Sequence, residues 1–290
     1  MKTCIISIAK HENLYVEEWV NHHLNLGFDR IFICDNNKSG EEKISDVIDN
    51  EKVTILDYHD VDGVQRKAYT QEFINHHDEY DWLAFLDLDE FIMLDGKYNG
   101  NIKSFLGDKI FDECDIIRLC WKIYTTNTEL DVKDNDYRVV ERFKDIHISG
   151  EENFSKSIIR GSIEIEEDIC ISGHGLYVYP PRKVFSSDGN IVQCNYVMIN
   201  REPAKPIYDN AWLNHYPTKT MGEFIRQKYF RGGANHNGRR YSRLDYFFKY
   251  NDVTEEKERY GNELIEKYKQ EREERKKESK LLSDKLFIKE

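Results

Sequence analysis

The stretch Trp82-Leu83-Ala84-Phe85-Leu86-Asp87-Leu88-Asp89-Glu90-Phe91 runs an apolar segment into two acids spaced Asp-x-Asp. The apolar part reads as a buried strand, and the acids fall at its carboxyl end. If Asp87 and Asp89 keep strand geometry, both carboxylates point to one side of the backbone. Oxygen ligands so placed suit a hard divalent cation such as Mn²⁺ or Mg²⁺, which keeps open positions for phosphate oxygens. The bland alternative is a solvated strand end, with Glu90 capping a turn. His215, in Asn214-His215-Tyr216 after the apolar stub Ala211-Trp212-Leu213, is the candidate third metal ligand. A lone histidine is more often structural, so its candidacy depends on the two acids.

Basic residues lie nearby in the sequence. Arg66 and Lys67 open a helical pattern, and Arg226, Lys228, Arg231, Arg239 and Arg240 follow His215. Cations beside a metal–diphosphate centre neutralise a departing phosphate, and ordinary surface charge is the competing reading. Two loops offer polar groups where a base and a ribose fit: residues 9–13, with Lys10 and Glu12, and Asp35-Asn36-Asn37. A carboxylate such as Asp35 takes paired ribose hydrogen bonds, but turns use Asn and Asp in the same way.

These residues need a frame. Strands are expected at 3–8, 30–34, 53–56 and 82–86, alternating with helices at 11–26, 41–48 and 64–77. Such alternation gives βαβ units and a mostly parallel sheet, with ligands beyond the carboxyl ends of the strands. After residue 110 the pattern is shorter and more broken. Strands are expected at 116–121, 157–159, 176–179, 191–199 and 211–213, with helices at 137–143 and 221–229, in mixed or antiparallel pairing. A charged helix is expected over 255–286 with sparse apolar positions. The division is therefore a domain over residues 1–250 and a charged helical extension over 251–290.

Bulk properties narrow the function classes. The net charge of -12 excludes a nucleic-acid binder, which needs a concentrated basic face. The 39% hydrophobic content supports a sizeable core. None of the six cysteines forms a CxxC pair, so buried reduced thiols are expected. No signal peptide or membrane span is read, which points to the cytoplasm. The sparse apolar positions of the extension favour self-association over a peripheral contact with the inner face of a membrane. Neither Gly-x-Gly-x-x-Gly nor a P-loop nor a Gly-x-Ser-x-Gly elbow is present.

The ordered set Lys10-His11-Glu12-Asn13, Glu18-Trp19-Val20, Leu26-Gly27-Phe28-Asp29-Arg30, Asp35-Asn36-Asn37, Gln65-Arg66-Lys67-Ala68-Tyr69, the block ending Asp87-Leu88-Asp89-Glu90-Phe91, Ser155-Lys156-Ser157 and Asn214-His215-Tyr216 resembles the glycosyltransferase 2-like proteins of the family 92 type. The resemblance spans roughly residues 3–235. It implies a GT-A, Rossmann-like α/β fold with a mixed central sheet. It also implies a UDP-linked sugar donor, with galactose the first candidate, and inversion at the anomeric carbon. Mn²⁺ or Mg²⁺ would sit on Asp87 and Asp89, with His215 completing the site. Lys10, Glu12 and Asp35 would face the nucleotide and Arg66 the ribose or phosphate; Arg231 is a candidate for the phosphates from its charge alone. The acceptor would be a glycan or lipid-linked glycan of surface polysaccharide. One departure is Cys120-Trp121-Lys122-Ile123-Tyr124, where many relatives resemble Asn-Trp-Arg-x-Phe-Gly, so the acceptor's identity stays open.

An inverting transfer needs a base for the acceptor hydroxyl. Glu141 is the candidate, with Glu90, Glu151 and Glu152 as rivals and a surface ion pair as the plain alternative. A nucleotidyltransferase is a second reading, disfavoured because residues 9–13 hold no glycine. An inactive carbohydrate-binding or assembly protein is a third.

Overall fold

The structure is a computed structural model that describes residues 1–61, 63–126, 129–148, 154–164, 169–172, 175–177, 182–192, 205–231 and 243–287, with backbone only at 172, 175–177 and 275–287. The chain begins β1 (Thr3–Ala9), α1 (Val16–Asn25), β2 (Arg30–Asp35), β3 (Val53–Asp57), α2 (Val64–His76), β4 (Trp82–Asp87) and β5 (Glu90–Leu94). It continues with α3 (Ile102–Leu106), β6 (Ile116–Thr125), α4 (Val139–Arg142), β7 (Asp145–Ile146) and β8 (Ser155–Arg160). Last come β9 (Cys170–Ser172), β10 (Gly175–Tyr177), β11 (Val184–Ser186), β12 (Ala211–His215), α5 (Met221–Phe224), α6 (Leu244–Phe248) and α7 (Glu255–Phe287).

The main sheet runs β3-β2-β1-β4-β8-β6-β12-β5. Strands β1 to β4 are mutually parallel, β8 is antiparallel to both its neighbours, β6 and β12 are parallel, and β5 closes the edge antiparallel to β12. This is a mixed, Rossmann-like α/β sheet. The strand order reverses between β1 and β4. The chain moves outward from β1 to β2 and β3, then returns on β1's other side. A crevice opens where the strand order reverses, at the carboxyl ends of these two strands. Residue 10 and Asp87 sit on its two lips.

The sheet is buried on both faces, which explains the unbroken apolar run of β1. Ile5 packs with Trp19 and Val20 of α1 in one cluster, whereas Cys4 and Ile6 pack with Ala68, Tyr69 and Phe73 of α2 in another. Gly63, at φ +60°, supplies the left-handed residue from which α2 starts. Cys4, Cys34, Cys114 and Cys120 are buried and free, and Cys170 is half-buried and free. Cys194 lies outside the described residues.

After β4 the chain leaves its sheet neighbours. Leu88 and Asp89 form a turn, and β5 pairs with β12 rather than with β4. Asp89 is therefore not on a continuing strand, and the expected strand alternation does not relate it to Asp87. Helix α1 pins β5 in place. The Trp19 indole donates to the Glu90 carbonyl (2.8 Å), His22 Nε2 lies 2.8 Å from the Ile92 carbonyl, and the Ile92 amide donates to His23 Nε2 (3.3 Å). That amide fixes the His23 tautomer: Nε2 is unprotonated and Nδ1 donates to the Trp19 carbonyl (2.9 Å).

Other elements differ in extent from expectation. Over 41–48 only a 3₁₀ turn forms, Ile44–Asp46. Ile44 is its one buried residue, and so small an apolar footing cannot hold a helix. Helix α1 starts at Val16 because the Glu12 carbonyl accepts from both Tyr15 and Val16 amides in a turn. Strand β6 runs on to Thr125 because β12 takes over as its partner at Trp121. The helix at 221–229 becomes α-helical Met221–Phe224 followed by a π-helical Ile225–Tyr229. Ile191 makes an isolated bridge with Phe185, and residues 193–199 of the strand expected there lie outside the described residues. The near half of α7 packs on α5 and α6 through Ile265, Met221, Phe224 and Phe247, flanked by Tyr260 and Leu264. Among the described residues, no helix is long and apolar enough to cross a membrane.

The α1–β5 seam predicts a pH dependence. Burial pulls His22 down and His23 well below the ordinary histidine range. The unfolded chain, with histidines near 6.5, then takes up protons first as pH falls, so stability declines below about pH 6.5. For His23 the slope is about 1.4 kcal/mol per pH unit until its folded pKa is reached. Urea unfolding at pH 7.5, 6 and 5 should show this decline, and His23→Asn should flatten it. Parallel slopes for both proteins would place the effect elsewhere.

Candidate active site

β12 runs antiparallel to β5 with His215 directly opposite Glu90, so the imidazole and the carboxyl share one face of the sheet. The Tyr216 amide donates to the Asp89 carbonyl (2.9 Å), which fastens the turn after β4 to the end of β12. Asp89, Glu90 and His215 thereby each offer a ligand atom within 4.8 Å of the others, and all three are buried. His215 Nε2 stands 3.7 Å from Asp89 Oδ1.

Glu90 Oε1 and His215 Nδ1 are both buried without a hydrogen-bond partner. An unsatisfied buried polar atom costs about 1–3 kcal/mol and calls for an explanation. One imidazole and two carboxyls are a suitable ligand set for a divalent cation, and the residues fit one. Burial pushes His215 down to about 4, against the pull of Asp89, so the ring is neutral and able to ligate near pH 7.

Asp87 belongs to the same crevice but to a different set of contacts. Its Oδ1 accepts from Gln65 Nε2 (2.7 Å) and the Tyr69 hydroxyl (3.3 Å), both on α2. Its Oδ2 accepts from Lys156 Nζ (2.6 Å) on β8. The Asp87 amide donates to Glu90 Oε2 (3.0 Å), and Lys156 Nζ lies 3.6 Å from Glu90 Oε1. Lys156 is 1% exposed. Burial would lower it, but Asp87 and Glu90 outweigh that and raise its pKa. Glu90 goes the other way: burial pushes its carboxyl well up, with Lys156 only partly opposing.

Asp89 Oδ2 is taken by Lys228 Nζ at 2.5 Å. Burial would raise the Asp89 carboxyl, but the charges of Lys228 and Lys219 hold it well below the usual range. Lys228 comes from the π-helical segment, and this segment and the residues just after it also reach the crevice. Gln227 Nε2 donates to the His11 carbonyl (2.9 Å), and Arg231 pairs with Glu12 Oε1 (2.7 Å) and bonds the Lys10 carbonyl. The segment thus bridges the loop after β1 and the turn after β4.

Lys219 is 3% exposed and stands 4.2 Å over the Tyr15 ring, in a left-handed backbone conformation at φ +56°. Burial pulls its pKa down, against Glu12 and Asp89. Its turn is held from both sides. Thr220 caps α5 in a capping box with Glu223, whose carboxylate also receives Arg142 (2.6 Å) and the Tyr15 hydroxyl (2.9 Å). Asn251 donates to Thr218 (3.0 Å) and accepts from the Thr126 amide (3.1 Å).

The expected residues therefore divide. Asp87, Asp89, His215, Glu12 and Arg231 gather around the crevice, with the backbone of Lys10 beside them. Asp35 lies at its edge but is 1% exposed, with its oxygens on the Asn37 (3.1 Å) and Ile44 (2.8 Å) amides. Arg66 is exposed on α2 and lines a surface cavity of about 500 Å³ with Tyr58, Lys67 and Thr70. Glu141 is exposed and pairs with Arg138 (3.0 Å). Arg226 pairs with Asp131. Arg239, Arg240, Glu151 and Glu152 lie outside the described residues.

Sequence reasoning gave no role to Lys156, Gln65 or Lys219. The signal for Lys156 was present: a lysine flanked by serines inside a strand that runs into Ile158 and Ile159. Lys219 gave none, because a left-handed lysine before a capping box looks like any turn.

The glycosyltransferase family 92 profile matches residues 1–276. A glycosyltransferase family 92 protein of Oryza sativa subsp. japonica is 24% identical over 95 residues, which is 32% of this chain and 16% of that protein. The match thus spans well under a fifth of that curated relative. Among solved structures, residues 1–349 of S. aureus TarS align with a TM-score of 0.34 and 14% identity, covering 56% of this chain and 48% of that one. HddC from Yersinia pseudotuberculosis aligns with a TM-score of 0.30 and 14% identity, over 56% and 74% of the two chains.

Lys156 is the buried counter-charge for two carboxyls. Removing one partner of a buried pair strands the other, so Lys156→Met should lower unfolding stability by about 3 kcal/mol. Glu141→Gln, at an exposed pair, should stay within about 0.5 kcal/mol. Denaturant titration of both variants checks this. Equal effects would mean that Lys156 carries no buried load.

Proposed function

Because the chain belongs to glycosyltransferase family 92, we propose that it moves a sugar from a nucleotide-sugar donor to a hydroxyl of a glycan or lipid-linked glycan. The observation that carries this reading is the buried Asp89–Glu90–His215 cluster at the sheet's ligand crevice, with polar atoms lacking a hydrogen-bond partner on two of its three members. A divalent cation, Mn²⁺ or Mg²⁺, would be held there by Asp89 and His215 with Glu90. When bound it would neutralise the charge that builds on the departing diphosphate.

The chain's own groups supply the rest. Asp87, oriented by Gln65, Tyr69 and Lys156, faces the crevice next to the cation site. Lys228 and Lys219 add positive charge where phosphates would lie. The Glu12–Arg231 pair closes the loop after β1 over the nucleotide side. A UDP carrier, a galactose donor and inversion at the anomeric carbon are the finer parts of the proposal, and they rest on the family. Glu141 has no contact that supports a role as base, so none is assigned to it.

The test is donor turnover with a panel of UDP-sugars, with and without Mn²⁺. One UDP-sugar should be consumed in a metal-dependent way. Asp89→Asn and His215→Ala should each reduce that rate at least about a hundredfold while remaining folded. Metal-independent turnover that survives both substitutions would contradict the assignment of the cluster.

A further inference from the structure

Lys228 occupies the atom that the proposed chemistry needs most. Its ammonium sits 2.5 Å from Asp89 Oδ2, and both side chains are 9% exposed. A divalent cation bound by Asp89 would meet that ammonium at close range in a poorly solvated crevice, where like charges repel strongly. The wider charge count points the same way. Three carboxyls, Asp87, Asp89 and Glu90, face three lysines, Lys156, Lys219 and Lys228. Among these described side chains positive charge already at least matches negative charge, since burial moves Glu90 toward its neutral form. Two further positive charges would find no counter-charge among these six side chains, and burying unpaired charge is costly. A nucleotide diphosphate brings the missing negative charge.

The lysines differ in how they are held. Lys156 is clamped between Asp87 and Glu90 at 1% exposure, and Lys219 is locked in its turn over Tyr15. Lys228 lies on the π-helical Ile225–Tyr229, a rare geometry enriched at functional sites. Its long stem can carry the ammonium away from Asp89 without moving the backbone.

Building on the nucleotide-sugar reading, we propose that Lys228 is an exchangeable counter-ion. It holds Asp89 while the site is empty, and passes to the diphosphate when cation and nucleotide enter together. The two ligands then bind as one unit, and each alone binds weakly.

The probes are Mn²⁺ followed by electron paramagnetic resonance, and UDP followed by calorimetry, on the full chain. For the unaltered protein, Mn²⁺ should tighten UDP binding at least about tenfold. Lys228→Met should shift the two ligands in opposite directions. Mn²⁺ alone should bind at least about fivefold tighter, because its competitor is gone. UDP in the presence of Mn²⁺ should bind at least about tenfold weaker, because a charged hydrogen bond is lost. A purely structural lysine would weaken both. Lys228→Gln is the second variant, should methionine disturb folding as judged by circular dichroism. If the unaltered protein binds Mn²⁺–UDP but neither variant gains Mn²⁺ affinity, the exchange is wrong and the donor reading stands. If the unaltered protein binds no UDP with Mn²⁺, the donor reading fails and takes the exchange with it.

Discussion

Charge balance in a dry crevice is the constraint around which this protein is arranged. Asp89, Glu90, Lys156 and Lys228 are all buried. None of these charges has enough water to be stable alone, so each needs a partner at hydrogen-bond distance or a shift toward its neutral form. Lys156 and Asp89 keep their charge through pairing. Glu90 and His215 are pushed by burial toward neutrality. A site built this way is ready to take an ionic ligand, because the groups that lack partners sit beside the groups that have charge to exchange.

The fold supplies the burial and the alignment. The sheet reverses its order between β1 and β4, which opens the crevice. The chain then crosses to the far edge, so that β5 can meet β12 and set Glu90 opposite His215. Residues far from the crevice hold this crossing. Trp19, His22 and His23 of α1 bind the backbone of β5, and the Arg142–Glu223–Tyr15 network anchors the turn that carries Lys219. Glu223 is 1% exposed and accepts from three side chains, those of Arg142, Tyr15 and Thr220. Such a fully bonded buried carboxylate specifies one arrangement of the segment after β12.

The alternating half of the fold was legible in the sequence because period and burial agree there. Apolar runs ending in turn residues placed β1, β2, β3 and β4 to within a residue or so. Local pattern failed where a segment's fate depends on distant partners. Residues 41–48 have helical spacing but almost nothing to pack on. Asp89 looked like a strand residue because the strand's end is set by β12, more than a hundred residues away. The site divides in the same way. Acids at a strand end and a histidine after a stub are visible as residue types. Lys228 stands out only as one basic residue among several, and Lys156 and Lys219 not at all, since a buried and a solvated lysine look alike in sequence. Asp35 is the reverse case: it sits at the crevice edge, and its oxygens accept from the Asn37 and Ile44 amides that shape its own loop.

The most direct test of this account is diffraction from crystals grown with Mn²⁺ and UDP, recorded where manganese scatters anomalously. The account predicts one anomalous peak within coordination distance of Asp89 and His215, with the UDP diphosphate against it and the Lys228 ammonium moved from Asp89 to a phosphate oxygen. A peak elsewhere, or a diphosphate bound in the crevice with Lys228 still seated on Asp89, would contradict it.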